Sequence, residues 1–209
     1  IVTVPLELQI EEVQSDDALA GLPVLVVDDD QKIISAFAGN WRTAHQAACD
    51  LVDAMYGVTI HERTPMVIAS AGGYPKDLNF YQTIKTLCNA LAAVEDGGTI
   101  ILVTRSEEGF GSEDCRRFIA DYPTMLEREK ALRADFSIGA FIGYLFAENA
   151  ETHHMIVVTG IPQEEFGTAK VHVVSTLDEA LELARKLNGG RDLRTTLLPH
   201  GANTLPKLV

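Results

Sequence analysis

The sequence predicts an α/β fold: a three-layer, mostly parallel sheet with helices on both faces, plus an N-terminal β-hairpin. Three observations carry that expectation. Short, unbroken apolar runs at Pro65 to Ser70, Thr99 to Thr104 and Met155 to Thr159 have the composition of strands buried on both faces. Stretches with apolar residues at helical spacing alternate with them, as in α/β proteins. From 65 to 104 the succession is strand, helix, strand, a βαβ unit whose strands run parallel and whose crossover is right-handed.

The elements follow in order. Residues 1–21 mix alternation (Val2, Val4, Leu6, Leu8, Ile10) with acids and read as a lead-in segment, before a domain spanning 22–209. Pro23 to Val27 and Lys32 to Ala38 are β-rich runs joined by Asp28-Asp29-Asp30-Gln31, a hairpin with a polar turn. That acidic run lacks the Gly and distal Glu of a calcium loop, so its turn meaning comes first. Gly39-Asn40 starts a helix carried by Ala44, Ala48, Leu51, Val52 and Met55, and Gly57 stops it. A helix over 78–95 follows the strand at 65–70 and ends at Asp96-Gly97-Gly98. Helices are expected near 113–120, 124–133 and 139–149, and short strands at 155–159 and 171–174. Thr176 caps a helix over 177–187 that stops at Asn188-Gly189, and a last strand at 195–198 runs into Pro199-His200-Gly201.

Bulk properties narrow the function classes. The 209 residues carry 30 acidic against 17 basic side chains, a formal net charge of −13. With no cluster of Lys or Arg, that balance argues against nucleic acid and anionic membranes as partners. No apolar run approaches the ~18 residues that span a bilayer, and no signal-peptide pattern opens the chain. Cys49, Cys88 and Cys115 lie far apart, suggesting neither a disulfide framework nor a zinc site and fitting a reducing cytoplasm. Because residue 1 is Ile, a fragment of a longer protein is expected.

Candidate chemistry gathers where strands end, because open α/β sheets bind ligands outside their strands' carboxyl ends. Three loops qualify: Ser70 to Asp77, Ser106 to Gly111, and Pro199 to Asn203. In the first, Gly72 and Gly73 allow close backbone approach, Lys76 and Asp77 supply charge, and the helix N-terminus beyond favours an anion. Paired glycines also serve any strand-to-helix turn, which is their commoner meaning. On the following helix Phe80, Ile84, Leu87 and Leu91 line the core face, leaving Gln82, Lys85 and Asn89 on another. A Gln amide and a Lys ammonium one turn apart suit the carboxylate and hydroxyl of a small hydroxy acid; a solvated amphipathic face has the same spacing. His45 and His200 are weaker candidates, each more often structural. Gly109-Phe110-Gly111 reads as a flexible loop, and His153-His154 as surface. No G-x-S-x-G elbow, P-loop or G-x-G-x-x-G fingerprint occurs.

Five segments, Ala44-His45, Tyr56-Gly57-Val58, Ala69 to Asp77, Tyr81 to Lys85 and Gly97 to Val103, resemble the C-terminal domain of the nickel-dependent lactate racemase family. The GGYPKD and YQxxK stretches are the most specific. The resemblance implies a two-domain enzyme whose N-terminal domain, absent here, carries a nickel-pincer mononucleotide (pyridinium-3,5-bisthiocarboxylic acid mononucleotide nickel) and two acid/base histidines. It implies hydride abstraction from a small, lactate-like 2-hydroxy acid, followed by hydride return to either face. Those histidines, in a D-H-x-x-x-H setting, have no counterpart in this sequence, so no catalytic residue, no metal ligand and no cofactor is expected on this domain alone. The Gln and Lys of the family's substrate side match Gln82 and Lys85. The family also places an aromatic over the site; Phe141 or Tyr144 could serve, although Phe136 to Phe141 departs from the racemase pattern and leaves other 2-hydroxy acids open, sugar-derived ones among them.

The leading expectation is therefore the substrate-side domain of a racemase or epimerase, inactive alone, with the N-terminal domain of the same protein as partner. The alternatives are a stand-alone small-anion binding module and a structural dimerisation domain.

Overall fold

The computed structural model describes the backbone at residues 10–13 and 24–27, and the chain in full from 32 to 209. The expected turn at 28–31 and most of the lead-in lie outside those residues. Two compact units are present, Ile1–Gly57 and Val58–Val209.

In the first unit, strands β1 (Ile10–Val13), β2 (Val24–Val27) and β3 (Ile33–Gly39) form a sheet in the order β1-β3-β2. β2 is antiparallel to β3, as a hairpin requires, and β1 adds a parallel third strand from within the expected lead-in. Helix α1 (Trp41–Tyr56) starts where the Asn40 side chain accepts the Arg42 amide at 2.9 Å. Its Ala44 and Ala48 pack on Phe37.

The second unit is built on five parallel strands: β5 (Thr64–Ser70), β6 (Val94–Val103), β7 (His154–Val158), β8 (Val171–Val174) and β9 (Thr195–Leu198). Their order is β8-β7-β6-β5-β9. On one face lie α2 (Phe80–Ala93), α3 (Glu113–Ala120), α4 (Met125–Ala134) and α5 (Ile138–Thr152); on the other lies α6 (Leu177–Leu187). Alternate residues of the strands fill the two faces. Val67, Ile100, Leu102, Met155 and Val157 meet Phe80, Ile84, Leu87 and Phe146, while Met66, Ile101, Ile156 and Val158 meet Ala180 and Ala184. The three-layer, parallel architecture is as expected.

Two short strands had no signature in the sequence. β4 (Gly57–Ile60) and β10 (Leu205–Leu208) pair as a two-stranded sheet. The expected helix over 78–95 is shorter. Asn79 caps it, and the chain becomes extended at Val94, so the predicted stop at Gly97-Gly98 falls inside β6. There the ladder with β5 jumps from Thr64↔Val94 to Met66↔Thr99, around Pro65, which has no N–H to contribute. Gly98 lies so close to the Pro65 carbonyl that a Cβ would stand 2.8 Å from its oxygen.

The chain moves from β5 through β6 and β7 to β8 in one direction, then returns by α6 on the opposite face to place β9 on the other side of β5. The reversal between β5 and β9 is a switch point, where such sheets open a crevice at their carboxyl edge.

Candidate functional site at the carboxyl edge of the sheet

All three loops predicted from the sequence meet at this edge. Beyond β5, the Gly72 amide donates to Ser70 Oγ at 3.1 Å, and Gly72 and Gly73 have φ of +97° and +86°. Those values let the loop reverse so that the amides of Lys76 and Asp77 reach the Gly73 carbonyl at 2.8 and 3.2 Å. The loop beyond β9 closes against it. The Gly201 amide donates to the Ser70 carbonyl at 2.8 Å, and His200 lies so near Gly72 that a Cβ there would stand 3.3 Å from its Nδ1. His200 and Gly72 are thus brought together.

The loop beyond β6 is not the flexible connection predicted. Phe110 is buried and meets Phe80 and Phe166 edge-to-face, with ring centroids 5.6 and 5.1 Å away. Its flanking glycines, at φ of +64° and +69°, bend the chain inward, and a side chain at Gly111 would collide with Asn79.

That loop also changes the meaning of the α2 N-terminus. The amides of Phe80 and Tyr81 donate to the carbonyls of Gly109 and Phe110 at 2.9 and 3.1 Å. Gln82 donates to Asn79 Oδ1, and Thr83 to the Asn79 carbonyl. The first-turn donors of Phe80, Tyr81 and Gln82, which the sequence offered to an anion, are therefore used within the protein.

On α2, Asn89 does not stand free beside Gln82 and Lys85. Its amide clamps the carbonyls of Gly201 and Ala202 at 2.7 and 3.4 Å. Gln82 is half-buried, two turns before Asn89 on the stripe facing that loop, and Lys85 is exposed. Neither side chain has a hydrogen bond or ion pair among the described residues. Phe141 pairs with Phe136, centroids 6.4 Å apart. The Tyr144 hydroxyl donates to Glu148 at 3.1 Å, and partial burial and that carboxylate hold it above the usual phenol range. No ring contact or hydrogen bond joins either aromatic to Gln82 or Lys85 among the described residues. His45 lies in the first unit, its Nδ1 3.7 Å from Cys49 Sγ.

The sequence did not disclose a buried hydroxyl chain under the crevice: Thr83 Oγ1 is 2.7 Å from Thr104 Oγ1, which is 2.9 Å from Ser106 Oγ. Ser106 has φ of +49°, a left-handed conformation unusual for a residue with a Cβ. Its amide holds the Asp77 carbonyl at 2.8 Å. Position at a strand's carboxyl end was the available clue. Beside it a cavity of about 630 Å³ opens between Arg105 to Arg116 and Gly160 to Glu165. Arg105 is paired with Glu107 and Arg116 with Glu113, each at 2.7 Å. The Arg116 hydrogen bond holds the Glu113 carboxyl below its ordinary range.

Residues 60–205 match the model of the lactate racemase C-terminal domain. The chain belongs to this family. Similarity to whole lactate racemases is consistent: the chain is 32% identical over 194 residues to that of Lactiplantibacillus plantarum and 28% over 192 to that of Thermoanaerobacterium thermosaccharolyticum. Each match takes in 90% of this chain and 45% of the relative, so this lactate racemase C-terminal domain chain spans less than half their length. The solved lactate racemase apoprotein of T. thermosaccharolyticum superposes with a TM-score of 0.76 at 28% identity, covering 90% of this chain and 46% of that one. A Thermotoga maritima protein shares the fold at a TM-score of 0.56 and 14% identity, covering 88% of this chain and 48% of that one. Within the described residues, no helix is long and apolar enough to cross a membrane.

Proposed function

We propose that this racemase-family domain forms the substrate side of a 2-hydroxy acid racemase or epimerase, with Lys85 pairing the substrate carboxylate and Gln82 hydrogen-bonding it. One observation carries the reading. On α2, where Asn79 is the cap, Thr83 joins the hydroxyl chain, Asn89 holds the Gly201 loop and the unpartnered Thr86 hydroxyl is buried, Gln82 and Lys85 reach past the core with no partner among the described residues. A substrate supplies what they lack, and a lysine ammonium with an amide is a sufficient carboxylate clamp. The rival reading, a stand-alone module in which the glycine loop and Lys76 capture a small anion, loses the α2 N-terminal amides as donors because these are already used.

We assign the acid/base histidines and the nickel-pincer mononucleotide to the N-terminal domain implied by the resemblance. When bound, that group would supply a hydride acceptor. We assign this chain's part in the reaction to binding and orienting the substrate. A cytoplasmic setting accords with three free thiols.

The test joins this chain to a cofactor-loaded N-terminal domain and assays racemisation over a panel of 2-hydroxy acids. Turnover is expected, and Lys85→Ala lowers kcat/KM about a hundredfold through loss of a charge-assisted bond. No turnover across the panel, or full turnover in Lys85→Ala, overturns the reading.

A further inference from the structure

We propose that Asp77 is the anionic ligand of a hard divalent cation site at the carboxyl edge of the sheet, completed by neutral oxygens of Ser70, Thr159 and Ser175. These residues line one cavity of about 260 Å³, below the glycine loop and across the ends of β5, β6, β7 and β8. Asp77 is only 8% exposed, yet its carboxylate has no hydrogen bond or ion pair among the described residues. This carboxylate therefore meets the cavity without a protein partner, where a hydrated cation can reach and neutralise it.

Among the described residues no cationic side chain is paired with this carboxylate. Arg105 also lines the cavity, but its guanidinium is paired with Glu107 at 2.7 Å. The neighbouring oxygens suit a cation. Ser70 Oγ accepts one amide and keeps a lone pair, Thr159 Oγ1 donates to the Arg105 carbonyl and accepts the Ile161 amide, each at 3.4 Å, which leaves it one lone pair, and the Ser175 hydroxyl has no partner among the described residues. One carboxylate with neutral oxygens is oxygen-only donor chemistry, matching magnesium or calcium that keeps part of its water shell rather than a thiol- or imidazole-seeking metal. A neutral ligand would leave the charge uncompensated, and the net charge of −13 concentrates cations around the chain.

The site is independent of the racemase reading, because it is tested on this chain without turnover. Chelator-treated protein is titrated with MgCl₂ or CaCl₂ against choline chloride at matched ionic strength, following thermal unfolding. A saturable rise in Tm beyond the choline control is expected, with about tenfold or greater loss of apparent affinity in Asp77→Asn. A second measurement does not depend on that variant folding. Substoichiometric Mn²⁺ should broaden amide resonances first at residues 70–77, 103–106, 158–160 and 175. No saturable response, an unchanged response in Asp77→Asn, or broadening centred elsewhere overturns the proposal.

Discussion

Gly201 lets two loops and a helix meet: a Cβ at this position would stand 2.7 Å from Thr86 Cγ2 and 3.0 Å from the Ser70 carbonyl oxygen. Gly201→Ala must push the His200 loop off α2 and is expected to destabilise the chain by about 1–3 kcal/mol, read from urea unfolding. Arg128 works in the opposite way, filling rather than vacating. It is buried, and its guanidinium donates to the carbonyls of Phe118 and Ile119 at 2.8 and 2.9 Å and to Thr168 Oγ1 at 2.7 Å. Cys115 is fully buried, and burial pushes its thiol up to about 12 from an ordinary 9.0. The folded state thus holds a proton that the unfolded state releases above pH 9.0, so this contribution is full below that pH and is lost as pH rises toward 12. Between pH 9 and 11 the unfolding free energy is expected to fall less steeply in Cys115→Ala than in the parent, by up to about 1.4 kcal/mol per pH unit.

Helix ends show which local signals suffice. Thr176 caps α6 through a reciprocal box with Glu179, and both partners are visible three residues apart in the sequence. Thr176→Ala is expected to cost about 1 kcal/mol in thermal or urea unfolding. Central strands were equally legible, because continuous Val, Ile and Leu runs fit only a position covered on both sides. β4 and β10 were not, since four-residue edge strands carry too little pattern and their pairing spans most of the second unit. The working edge was legible only in part. Which loops converge followed from strand ends, but what their polar groups do depended on partners distant in sequence: Asn89 is taken by residues 201 and 202, and the α2 amides by residues 109 and 110. Gln82 and Lys85 stood out on spacing and resemblance. The left-handed backbone of Ser106 has no sequence signal, because serine is not a residue that announces it.

The two units differ in how much each can bury by itself. The two clusters that sandwich the five-stranded sheet draw every residue from the stretch beginning at Ile60, with both sheet faces covered by that stretch's own helices. Among the described residues, the cluster of the first unit holds Phe37, Ala44 and Ala48 buried, with Ala47, Leu51 and Val52 partly buried beside them. Stability scales with apolar area removed from water, and segments under about 60 residues are marginal alone. Residues 58–209 expressed alone should therefore fold, with dispersed amide resonances and a single cooperative urea transition. Residues 1–57 alone should give neither. The family match at 60–205 lies within the second unit, as expected if the self-sufficient sheet is the transferable part of the domain. A broad, non-cooperative transition in 58–209 would show instead that its parallel sheet depends on the first 57 residues, even though its core is composed without them.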